Sequence, residues 1–154
     1  MNRKLLLRVN GGFGFLSSME TESIFRDGRA FSFLADDLAP KLFPSMLKVQ
    51  KCTMGHGHIF NNKKVETRIL TKSGLSLSPS FMVGRARTYQ ESSHEKLASE
   101  LGYYVIMDNT EYPNVSIYLI DNKEEFFFSG RKNYRKAKAY LDSICGDLEE
   151  RVIL

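Results

Sequence analysis

Apolar positions along the chain follow two spacings, and the alternation between them outlines the fold. Leu5, Leu6, Leu7 and Val9 make a short run closed by Asn10-Gly11-Gly12, which reads as a strand running into a turn. Residues 13–16 read as a second short strand. Phe31, Leu34, Leu38 and Leu42 then recur at helical spacing, so a helix is expected over 31–42, with Pro44 just past its end. The stretch 46–72 returns to strand character in three runs, 48–52, 56–60 and 64–71. The last of these alternates and is β-branched, which suits a half-buried strand, and Asn61-Asn62 marks the turn before it. A Ser- and Gly-rich loop covers 73–80, and 81–83 reads as a brief strand.

The second half repeats the scheme. Residues 91–101 read as a helix: Ser92 and Glu95 have capping-box spacing, Gly102 is the expected stop, and Leu97, Ala98 and Leu101 form the stripe. Runs at 103–107 and 115–120 are the strongest strand signals in the chain, and 125–128 is expected to continue the sheet. A closing helix over 132–149 would bury Tyr134, Ala137, Leu141, Ile144 and Leu148. Strands in the middle with helices around them predict an α+β fold, with a single mixed central sheet flanked by helices in one domain over 1–154.

Composition narrows the class. The chain has 154 residues, 42% hydrophobic and 26% charged, which are ordinary globular values. The two cysteines, Cys52 and Cys145, are far apart, so a disulfide framework is not expected and a reducing, cytoplasmic setting is. No apolar stretch nears the roughly 20 residues a membrane helix needs. Lys and Arg exceed Asp and Glu by 22 to 18, a net charge of +4, which favours a polyanionic partner. Nucleic acid is that partner in our reading, DNA ahead of RNA, and a homodimer would suit cleavage of duplex targets.

The densest chemistry lies between Cys52 and Arg68. A three-residue loop at Asn61, Asn62 and Lys63 would set Ile59 opposite Val65, His58 opposite Glu66 and His56 opposite Arg68. With period-two alternation, one face would then carry His56, His58, Glu66 and Arg68, and the other Ile59, Val65, Thr67 and Ile69. A two-residue turn would remove Glu66 from the histidine face. The polar set offers three readings. Glu66 and His58 could hold a divalent metal, Mg²⁺ or Mn²⁺. Without metal, Glu66 as base, a histidine as acid and Arg68 on the phosphate could cleave RNA. The set could also be a solvated strand face. Gly55 and Gly57 leave room for a ligand near the backbone. Asp36, Asp37, Glu20 or Glu22 could add a carboxylate, although spacing alone does not place them there. Cys52 with His56 and His58 lacks the second ligand pair of a structural zinc site.

The order Glu66-Thr67-Arg68, then Ile69-Leu-Thr-Lys-Ser-Gly, then Phe81, then Glu91-Ser-Ser-His94-Glu-Lys96-Leu97 leading into a strand, resembles the MutH-type branch of PD-(D/E)XK endonucleases over about residues 55–107. The resemblance implies Mg²⁺ held by an acidic residue on one strand and Glu-x-Lys on the next. Two positions depart from it. Arg68 stands where the lysine belongs, and it cannot shuttle a proton because it stays protonated. His58 falls near the first acidic position, whereas Mg²⁺ prefers oxygen ligands.

Two basic segments complete the picture: Arg85, Arg87 and Tyr89 in a loop, and Arg131, Lys132, Arg135 and Lys138 around the last helix. Both could contact phosphates, and both could be solvated surface. Three further functions compete with a metal-dependent endonuclease: the metal-independent RNase, a non-enzymatic binding or inhibitor protein, and a GNAT-type acyltransferase. The last rests on Arg85-Ala-Arg87 before a helix and strand, and lacks the expected Gly-x-Gly.

Overall fold

A computed structural model describes residues 2–12, 14–53, 56–77, 90–121, 131–146 and 148–153. The sequence expectations at 81–83 and 125–128, and Arg85, Arg87 and Tyr89, lie outside them. In chain order the elements are β1 (Arg3–Val9), α1 (Ser18–Arg26), α2 (Gly28–Leu42), β2 (Leu47–Thr53), β3 (His56–Phe60), β4 (Lys63–Leu70), α3 (Glu91–Glu100), β5 (Leu101–Asp108), β6 (Asn114–Asp121), α4 (Tyr134–Ile144) and β7 (Leu148–Ile153). The fold is α+β with one mixed central sheet, ordered β2-β3-β4-β5-β6-β1-β7. The β4–β5 and β1–β7 pairs are parallel and the others antiparallel. A parallel pair needs a crossover, and α3 lies within the one joining β4 to β5.

The sheet is covered on both faces. Leu5, Leu7, Val65, Val105, Met107, Ile117 and Leu119 pack with Phe25 of α1 and Phe31, Leu38 and Leu42 of α2. The alternate positions Leu70, Tyr104, Ile106, Tyr118 and Ile120 pack with Ala137 and Leu141 of α4. Strands buried on both faces read as continuous apolar runs, which is why residues 103–107 and 115–120 signalled so clearly.

Three expectations are corrected. The segment at 13–16 is no strand in its described part: residues 14–16 form a turn that leads into α1. Ser17 caps that helix, accepting from the Glu20 backbone N–H while Glu20 returns a bond to the Ser17 N–H. The last helix stops at Ile144, with Cys145 as its cap and Gly146 beyond, and the chain turns into β7 beside β1. Gly102 is not a helix stop. It is the extra residue where the β4–β5 register shifts, and a Cβ there would lie 2.4 Å from that of Lys63.

Candidate functional site

The β3–β4 hairpin is built on the two-residue loop. Asn61 and Asn62 have φ of 49° and 60°, the left-handed pair of a type I′ turn, and Phe60↔Lys63, Ile59↔Lys64 and His58↔Val65 are in register. The three-residue loop is therefore overturned, because two asparagines tolerate positive φ and the I′ turn matches strand twist. Glu66 leaves the histidine face. His58 now shares a face with Val65, Thr67 and the α2 core, while Glu66 and Arg68 share the other with Tyr104. Ile59, expected inside, is 37% exposed and His58 is fully buried.

His58 sits between α2 and β4. Its Nε2 lies 2.7 Å from the Asp36 carbonyl, which can only accept, so Nε2 donates. Its Nδ1 lies 3.4 Å from the Thr67 hydroxyl. Both ring nitrogens thus have partners inside the fold. The expected metal pair of Glu66 and His58 is not formed, since the two occupy opposite faces. His56 belongs to β3, and its side chain lies outside the described part of the structure.

The ladder between β3 and β4 ends at His58↔Val65, although β4 runs on through Glu66, Thr67 and Arg68. On the far side of β3, the pairing with β2 shifts register between Lys48 and Thr53. The strands therefore part beside Gly57. Asp36 of α2 reaches this point: its Oδ1 lies 3.6 Å from where a Gly57 Cβ would stand. Spacing alone could not select Asp36 from the acidic residues in the chain.

Two partly buried carboxyl groups lie here, and the charge of Asp36 acts on Glu66. Burial raises Glu66 above the ordinary carboxylate value although Arg68 pulls it down, and Asp36 adds to the rise. Burial likewise raises Asp36, helped by the neighbouring Asp37 and opposed by His58, Lys48 and Arg68. Glu66 holds Arg68 in an ion pair at 2.7 Å. Asp36 has no such bond: its carboxylate accepts no hydrogen bond among the described residues. The neighbouring Asp37 is tied to Lys48 at 2.5 Å. Behind Glu66, burial pushes the Tyr104 phenol up to about 12.

The basic segment at α4 is partly consumed by the fold. Arg131 Nε and Nη2 donate to the Ser73 carbonyl at 3.2 Å, and Nη2 also donates to its hydroxyl. Lys138 lies 3.7 Å from Asp108 and 3.8 Å from Asp142. Arg131 and Lys138 therefore serve internal contacts, while Arg135 is exposed. Glu20 and Glu22 lie on α1, where Glu20 closes the cap and Glu22 pairs with Arg26. Among the described residues, no group of three or more His, Cys, Asp or Glu side chains is arranged to hold a metal ion, and no helix is long and apolar enough to cross a membrane. No protein-family model matches the chain, and no curated protein or solved structure resembles it significantly.

Proposed function

We propose that this protein is a metal-assisted phosphodiester hydrolase acting on nucleic acid, DNA ahead of RNA, with its site where β3 and β4 part. One observation carries the reading: Asp36, a partly buried carboxylate with no hydrogen-bond donor among the described residues, stands beside Gly57, and its charge reaches Glu66. Burial raises both carboxyls and the Asp36 charge adds to the rise at Glu66, and carboxylates perturbed in this way concentrate at functional sites. The donor set fits Mg²⁺ or Mn²⁺, because Mg²⁺ is commonly held by one or two carboxylates plus phosphate oxygens of the substrate rather than by a full protein cage. Asp36 takes the place that His58 held in the sequence reading.

A bound ion of this kind would neutralise phosphate charge and lower the pKa of a bound water. The remaining work falls to the chain. Arg68 stays charged and offers a planar fork of donors to a phosphate oxygen. Glu66 orients that fork at 2.7 Å. His58 positions rather than reacts, fixing the α2 backbone at Asp36 through Nε2.

The closed Glu66–Arg68 pair favours a second reading, a nucleic-acid-binding protein that does not cut. Incubation with duplex DNA, single-stranded DNA and structured RNA, each with Mg²⁺, Mn²⁺ or EDTA, separates the two. Cutting that needs metal and falls at least about 100-fold in both Asp36→Asn and Glu66→Gln is the expected result. Binding without cutting in every metal would overturn the hydrolase and leave the second reading.

A further inference from the structure

Most cations near the sheet have an internal task. Lys4 pairs with Asp142, Arg26 with Glu22, Lys48 with Asp37, Lys64 with Glu100, Arg68 with Glu66, and Lys138 with Asp108 and Asp142. Six exposed cations have no such pair among the described residues: Arg8, Lys63 and Lys96, which stand apart, and a group of three, Lys72, Arg135 and Lys136. All three are exposed, and none has an ion-pair partner among the described residues.

The fold brings these three to one end of the sheet. Lys72 lies in the tight turn after β4, where Thr71 and Gly74 exchange backbone hydrogen bonds. That turn is fastened to the lead-in of α4 by paired hydrogen bonds between Leu75 and Lys132, and by Arg131 gripping Ser73. A Cβ at Gly74 would lie 2.1 Å from the Lys132 carbonyl, so the two segments touch through backbone. Arg135 and Lys136 follow in the first turn of α4, after the Asn133 cap.

That first turn contains no acidic residue. Cations at a helix N-terminus oppose the helix dipole and cost local stability. Two of them stand there with a third cation on the adjoining turn, and none of the three has an ion-pair partner among the described residues. Asp108 does not serve, because it is buried and already bonded to Thr110 and Tyr134. Glu111 is the other carboxylate felt by the Tyr134 ring, and it forms no ion pair with these three.

We infer that Lys72, Arg135 and Lys136 form a phosphate-contact surface for the nucleic-acid strand that enters the site at Asp36 and Glu66. The inference rests on the hydrolase reading for its substrate class. The strand runs four residues past Glu66 to Leu70 before the turn that holds Lys72, about 13 Å at strand rise, which is roughly four nucleotide steps of duplex. The surface therefore touches backbone away from the cut and carries no sequence information, as phosphate contacts do not.

The test is fluorescence anisotropy of a labelled 30-mer DNA, single-stranded and duplex, with the full chain in EDTA across a salt series. Lys72→Ala, Arg135→Ala and Lys136→Ala should each lower affinity, most at low salt, and each should reduce the slope of log K against log salt by about 1. Thermal melts should stay at the parent value for Lys72→Ala and stay there or rise slightly for Arg135→Ala and Lys136→Ala, which relieve the helix N-terminus. Arg135→Glu should weaken binding further than Arg135→Ala. An unchanged slope in the triple alanine variant, or no binding by the parent chain, overturns the surface. A reduced slope in a protein that never cuts keeps the surface and removes the hydrolase. Cutting with an unchanged slope does the reverse.

Discussion

Among the described residues, two pairs of aspartate or glutamate side chains close to the sheet behave oppositely. At the α4 end, Asp108 is 3% exposed yet accepts from the Thr110 N–H, the Thr110 hydroxyl and the Tyr134 hydroxyl, with Lys138 at 3.7 Å. Its neighbour Asp142 accepts from Lys4 and Tyr118, both at 2.7 Å. Burial pushes Asp142 up, but these bonds and Lys138 hold it below the ordinary carboxylate value. At the β3–β4 split, Asp36 and Glu66 are desolvated with fewer donors, and both are raised. Burial alone does not distinguish structural carboxylates from candidate functional ones. What distinguishes them is whether the fold supplies donors for the charge. The first pair is complete without a ligand, and the second gains by meeting a cation.

The comparison can be broken most sharply at Asp108. Asp108→Ala strips the acceptor from two hydroxyls, a backbone N–H and an ammonium in one stroke. Leaving buried donors and a charge behind should cost about 3 kcal/mol, measured by urea unfolding. If the loss is no larger than that of a surface substitution, the α4 network is not a closed structural unit.

Tyr118→Phe is expected to cost less, about 1.5 kcal/mol for one hydrogen bond to a charged group. Its pH dependence carries the sign. Asp142 has a depressed folded value, so its contribution is present above its unfolded value of 3.8 and is lost as pH falls through the folded one. Tyr118→Phe should therefore lose stability near neutral pH and narrow its gap to the parent chain in acid. Unfolding curves at pH 7 and pH 3 settle this, and a gap that widens in acid would reverse the assignment.

Asp36→Asn should run the other way. A carboxyl with a raised folded value binds a proton more tightly in the native state. Its penalty appears as pH rises from the ordinary value through the folded one and remains above it. The neutral amide removes that penalty, so the variant should match the parent near pH 3 and be more stable at pH 7, even as cutting falls. A destabilised variant at pH 7 would mean that Asp36 supports the fold, and the contrast between the two carboxylate pairs would fail.

Much of the sheet was legible because its strands are long, apolar and buried on both faces. The five runs at 5–9, 48–52, 56–60, 103–107 and 115–120 all fall within observed strands. Glu66 and Arg68 were also found correctly as neighbours on one face, since residues two apart on a strand must be. The errors share a cause. Face assignment rested on sorting polar from apolar, and the structure breaks that sorting by burying His58 with two hydrogen bonds and exposing Ile59. Asp36 was weighed but could not be placed, because its approach to Gly57 depends on how α2 crosses the sheet. The α1 helix was missed although Ser17 and Glu20 carry its capping box, and β7 was absorbed into the helix before it.

The smallest effect tests the turn on which the second region depends. Asn61 and Asn62 hold positive φ, where a side chain is strained and glycine is not. Asn-Gly is the preferred pair for a type I′ loop, so Asn62→Gly should stabilise the hairpin by about 0.5 kcal/mol. Because the register stays at His58↔Val65, Glu66 keeps its face, and any cutting or binding should be unchanged. Inserting one residue after Asn62 makes the opposite demand. Holding Val65 in the core would then shift β3 by one position and turn Ile59 inward in place of His58. That variant should lose the Asp36–His58 bond, read as changed chemical shifts of the His58 ring. If its ring signals match the parent's, the loop does not set the register, and the split between β3 and β4 has another origin.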